Sequence, residues 1–173
     1  MEAKKLKDAF NIAIELEEKG HQYYKGIAQK ADNPLTKQLF TTLAEQELEH
    51  INRIEEFYNK SPDIALEKAI SRDELEKAVK DVFNKFSKED KGKWETHISE
   101  AYEHAIVLEQ DSAKMYSNFA EKTEDDAERK FFEALAGEED SHFNALQNVY
   151  NYLKHTGDWF ESTESERWNW MNT

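Results

Sequence analysis

At 173 residues the chain is long enough for one domain with a real core. Its net charge of -14 and its lack of basic tracts argue against nucleic acid or an anionic membrane as partner, because phosphate binding needs a local surplus of Lys and Arg. The absence of cysteine excludes disulfides, thiolate zinc sites, iron-sulfur clusters and cysteine nucleophiles, which leaves His, Asp and Glu as the available metal ligands.

The opening MEAKKLKDAF is too polar for a signal peptide, and no apolar run reaches bilayer length, so the expected location is cytoplasmic. Five glycines and two prolines provide little punctuation. The abundance of Ala, Leu, Glu and Lys points to an almost wholly helical chain.

From about Lys4 to Asp32, residues Ala9, Phe10, Ala13, Leu16, Gly20, Tyr24 and Ile27 follow three-and-four spacing and define one helical stripe. Asn33-Pro34 ends that helix and starts a second, which runs to about Lys60 with Leu39, Phe40, Leu43, Ala44, Ile54 and Phe57 on its stripe. So short a turn makes the two helices antiparallel neighbours. Ser61-Pro62-Asp63 breaks the pattern, and about 61-93 reads as a crossover with helical pieces of its own. A third helix is expected from near Lys91 to near Lys122, carrying Ile98, Tyr102, Ala105, Leu108, Tyr116 and Phe119. After a polar turn and cap at 123-126, a fourth carries Phe131, Phe132, Leu135, Phe143, Leu146 and Val149 and ends around His155 to Gly157. Residues 156-173, with Trp159, Phe160, Trp168 and Trp170, are expected to pack on the bundle or on a second subunit.

LAEQELEH, ending at His50, recurs as LAGEEDSH, ending at His142. The interval of 92 residues that relates His50 to His142 also relates Glu47 to Glu139 and Glu17 to Glu109. Laid over 98-151 at this offset, residues 6-59 match at about 16 positions, among them Tyr24/Tyr116, Ala28/Ala120, Phe40/Phe132 and Leu43/Leu135. The chain is therefore read as a duplicated antiparallel hairpin joined by a long crossover, an all-α four-helix bundle over residues 1-155.

Glu17, Glu47, His50, Glu109, Glu139 and His142 all fall on the apolar stripes. Four buried carboxylates without a counterion would each cost several kcal/mol, and cations between them resolve the conflict. The heights agree as well, since Glu17 and the Glu47/His50 pair each stand roughly 24 Å from the first turn at 1.5 Å per residue. Four carboxylates match two divalent ions in charge, with one imidazole for each and any of the carboxylates able to bridge or chelate. Such ligands suit iron or manganese better than copper, and zinc can occupy them. Tyr24 and Tyr116, two turns after Glu17 and Glu109 on the same face, are candidates to hydrogen-bond ligand carboxylates or to supply a proton. Glu18-Lys19-Gly20-His21 also has the E-x-x-H spacing, but its repeat mates at 110 and 113 are Gln and Ala, so it reads as accidental. Glu45, Glu49, Glu138 and Asp140 read as solvated faces, and His97, His104 and His155 as surface or packing residues.

Over about 6-155 this pattern resembles the ferritin-like di-iron carboxylate proteins, and LAEQELEH with its Tyr-bearing first helix resembles the rubrerythrin type most. The resemblance implies two iron ions held by Glu17, Glu47, His50, Glu109, Glu139 and His142, and reduction of hydrogen peroxide or dioxygen. With no cysteines here, it implies electrons from a separate donor such as a rubredoxin. A homodimer is the expected assembly. Rubrerythrins carry a further carboxylate one turn after the third-helix ligand, where this chain has Ser112 beside Asp111. Two alternatives stand beside this reading: a ferroxidase or iron-storage protein of bacterioferritin type, and a metal-binding helical module without turnover.

Overall fold

The computed structural model describes the backbone of residues 2-59 and 96-154 and the side chains of residues 8-59 and 98-154. They form four helices: α1 (Glu2–Lys30), α2 (Pro34–Asn59), α3 (Thr96–Lys122) and α4 (Asp126–Lys154). The expected crossover at 61-93 and the aromatic tail lie outside the described residues.

Local chemistry sets the helix ends. The Ala31 amide makes a last bond to the Ile27 carbonyl at 2.9 Å, and α1 stops at Lys30, two residues short of the sequence expectation. Asn33 then caps α2, its Oδ1 accepting from the amides of Leu35 and Thr36 at 3.0 Å each, so Pro34 takes the first helical position where it has no amide to satisfy. Asp125 does the same for α4, accepting from Ala127 and Glu128 at 2.8 and 3.0 Å.

α1 packs along α2, and α3 along α4; lighter contacts join α1 to α3 and α2 to α4. Residues 17 and 24 of α1 meet 116 and 109 of α3, and His50 and Glu47 of α2 meet Glu139 and His142 of α4, so neighbours across the hairpins are also antiparallel. The order is up-down-down-up, which is the topology that requires a long connection between α2 and α3.

The core is split in two. One apolar cluster includes Leu35, Leu39, Phe40, Leu43, Tyr102, Leu146 and Val149 near the turn between α1 and α2. The other, toward the opposite end, includes Phe10, Ile54, Phe57, Phe131, Phe132 and Leu135. The polar sextet occupies the level between them. Each fully buried Leu or Phe contributes roughly 1.5–3 kcal/mol, and these two plugs offset the cost of the polar layer they enclose. No helix among the described residues is long and apolar enough to cross a membrane.

Candidate metal centre

All six residues singled out by the repeat converge, and none is more than 2 % exposed. They form two overlapping quartets: Glu17, Glu47, His50 and Glu139, and Glu47, Glu109, Glu139 and His142. In each quartet the four donor atoms lie within 4.8 Å of one another. Glu47 and Glu139 belong to both, so the carboxylates three residues before each histidine occupy the middle of the site, while Glu17 and Glu109 flank it.

Both imidazoles present Nδ1 to the carboxylates. His50 Nδ1 lies 3.2 Å from Glu17 Oε2, 3.3 Å from Glu47 Oε2 and 3.1 Å from Glu139 Oε1. His142 Nδ1 lies 3.4 Å from Glu47 Oε1, 3.5 Å from Glu109 Oε2 and 3.2 Å from Glu139 Oε2. The two rings are nearly parallel, with centroids 5.4 Å apart. Several of these approaches are close without being aligned: Glu139 Oε1 and His142 Nδ1 are buried yet make no hydrogen bond. His50 Nδ1 and Glu17 Oε2 do hydrogen-bond, but the unpartnered atoms beside them, in oxygen-rich quartets with one imidazole each, fit hard divalent cations.

Burial and mutual charge shift every group in the cluster. Burial pushes the Glu17 carboxyl well above its ordinary value, and the Glu47 and Glu139 charges push it further. Glu109 is raised in the same way by burial, Glu139 and Glu47. Burial also acts upward on Glu47, but the close approach of Glu17, His142 and His50 overrides it and holds this carboxylate at about 2. On Glu139, burial is overridden by the His50 charge and by the close approach of Glu109, His142 and His50, and the group is held well below the usual range. Burial disfavours both imidazolium ions, but Glu139 and Glu17 raise His50, and Glu109 raises His142, well above the ordinary value.

The tyrosines act across the hairpins. Tyr24 donates to Glu109 Oε1, and Tyr116 donates to Glu17 Oε1. Both phenols are fully buried, and burial together with the nearby carboxylates keeps them protonated far above the ordinary tyrosine range.

Other sequence expectations resolve individually. His21 is partly buried, bonds the Ala44 carbonyl through Nδ1 at 2.7 Å, and belongs to neither quartet. His104 is exposed and packs edge-on against Tyr23; His97 and His155 fall outside the described side chains. Glu45, Glu49 and Asp140 are exposed, as expected. Glu138 is a correction. Instead of facing solvent it accepts from His50 Nε2 at 2.8 Å and from Arg53 Nη1 at 2.6 Å, with its side chain 14 % exposed. Arg53, for which the sequence predicts no role, is fully buried. Its position three residues after His50 on the same stripe was the available signal. Ser112 is buried, but its hydroxyl donates to the Leu108 carbonyl at 3.0 Å, and Asp111 points outward beside Lys114. Neither adds a carboxylate to the site.

No curated protein and no solved structure matches the chain. A family model described as Rubrerythrin matches residues 8–150, a span that holds all four helices' contributions to the sextet. The fold, the buried carboxylate-histidine cluster and this match agree, and the chain belongs to the rubrerythrin family.

Proposed function

We propose that the protein is a di-iron oxidoreductase that reduces hydrogen peroxide or dioxygen with electrons from an external carrier. The observation that carries this reading is the pair of overlapping quartets sharing Glu47 and Glu139. Reduction of peroxide to two waters takes two electrons and two protons. Two iron ions, when bound, supply the electron pair and stabilise the developing oxygen charge.

The chain's own residues provide the surroundings. Four carboxylates neutralise two divalent ions, so loading leaves no uncompensated charge in the layer between the two apolar clusters. Those clusters keep bulk water from both ends of the site. Tyr24 and Tyr116 fix the orientation of Glu109 and Glu17, and each holds a proton at Oη next to a ligand carboxylate. That proton is available when oxygen charge builds up nearby.

Ser112 favours a second reading. With its hydroxyl committed to Leu108, α3 offers Glu109 as its one acid to the quartets, which suits a metal-stabilised bundle without turnover. Stopped-flow mixing of the ferrous protein with peroxide, without air, separates the two. Oxidation faster than that of free ferrous ion supports the oxidoreductase; no acceleration over free ion removes it and leaves the structural role.

A further inference from the structure

The two quartets are related by the repeat, but the groups behind their histidines are not. Behind His50 stands Glu138, whose Oε2 accepts from Nε2 at 2.8 Å and is held by the buried Arg53 guanidinium at 2.6 Å. At the repeat interval of 92 residues, Glu138 corresponds to Gln46 and Arg53 to Ala145. Gln46 is buried and its Oε1 makes no hydrogen bond. Among the described residues no acceptor is bonded to His142 Nε2.

We propose that Glu138, positioned by Arg53, makes the two metal positions unequal, so that the quartet with His50 binds first and tightly and the quartet with His142 binds second and exchanges. The inference rests on the reading of the sextet as a two-metal centre. A carboxylate on Nε2 keeps the proton there, leaves the Nδ1 lone pair aimed at the cluster, fixes the ring and makes it a better donor. Among the described residues His142 has no such anchor, so its ring is oriented as the metal binds. Arg53 places a positive charge in the same neighbourhood, which opposes a cation. Glu138 nevertheless lies between Arg53 and the imidazole, so its negative charge is the nearer one and dominates. Loss of such an outer partner typically costs 10- to 100-fold in metal affinity, which sets the expected gap between the two positions at about that size.

The test is titration of the full-length metal-free protein with Co²⁺, followed by visible absorption and by calorimetry. Wild type is expected to bind in two steps about 10- to 100-fold apart. Glu138→Gln should weaken the first step by about that factor and leave the second in place. Gln46→Glu, which supplies the missing carboxylate on the other side, should tighten the second step by about 10-fold and narrow the gap even if the first variant folds poorly. Two equal steps in wild type, or equal weakening of both steps in Glu138→Gln, would overturn the proposal. No Co²⁺ binding at all would overturn the metal-centre reading and this inference with it. Two unequal steps in a protein that does not react with peroxide would support the inequality and reject the oxidoreductase reading alone.

Discussion

Tyr116 donates its hydroxyl hydrogen to Glu17, and the bond runs from α3 to α1, between the two hairpins rather than within one. Tyr24 and Glu109 repeat it in the opposite direction. The paired bonds tie the halves of the bundle together at the level of the site, where the packing of α1 on α3 is otherwise light. Tyr116→Phe and Tyr24→Phe each leave a buried carboxyl oxygen without its donor. Each is expected to lower the stability of the metal-free protein by about 1–3 kcal/mol in denaturant unfolding, with the cluster still able to take up metal. A change within a few tenths of a kcal/mol would show that these bonds hold nothing.

Metal uptake should release protons. The upward shifts on Glu17, Glu109, His50 and His142 favour their protonated forms, and each must give up its proton before it can donate an electron pair. Net release of protons on loading is expected. Calorimetry in buffers of different ionisation enthalpy counts them. A count near zero would contradict the protonation pattern.

The same groups set the pH dependence of the metal-free protein. Glu17 and Glu109 are raised from 4.5, so their contribution is complete below that value and is lost as pH rises through their folded range. The contribution of His50 and His142, raised from 6.5, is lost in the same direction but starts from that higher value. Glu47 and Glu139 are depressed, so theirs is present above 4.5 and lost as pH falls, for Glu47 through about 2. The melting temperature of the metal-free protein should therefore peak between about pH 4.5 and 6.5 and fall toward alkaline pH, while the metal-loaded protein holds its stability there. Thermal melts across the range, with and without metal, check this; a metal-free optimum above pH 8 would run against it.

Gly20 lies in the interior of α1, one turn after Glu17. A Cβ at this position would meet Glu47 Cγ at 3.5 Å and Cδ at 3.6 Å, which is ordinary contact, and the backbone needs no positive φ there. Gly20→Ala should stabilise the protein by about 0.5–1 kcal/mol through helix propensity alone, measured as a shift in the denaturant midpoint. A loss of stability would show that the space beside Glu47 has to stay open.

The repeat makes the sextet legible in the sequence alone. A glutamate on an apolar stripe is ambiguous once, but Glu17, Glu47 and His50 each have an identical partner at one interval, and burial of all six follows from that pattern. Asn33-Pro34 likewise announces the first hairpin, because a capping side chain and a ring-locked φ act locally. Glu138, Arg53 and Gln46 stayed hidden for the complementary reason. They break the repeat, so a search for matching residues passes over them, and a charged residue on a helix is ordinarily solvated. Arg53 is held by a partner from the other hairpin, a contact 85 residues away in sequence. The division of labour within the sextet was also out of reach. Helical spacing puts Glu47 and Glu17 on inward faces, but which carboxylates stand between the two quartets depends on how α2 meets α4.

The most direct measurement is a crystal structure of iron-loaded protein with anomalous scattering recorded at the iron edge. Two peaks per chain are expected, each within one quartet, with Glu47 and Glu139 beside both. A single peak, or peaks away from these carboxylates, would contradict the two-metal centre on which the proposed function depends.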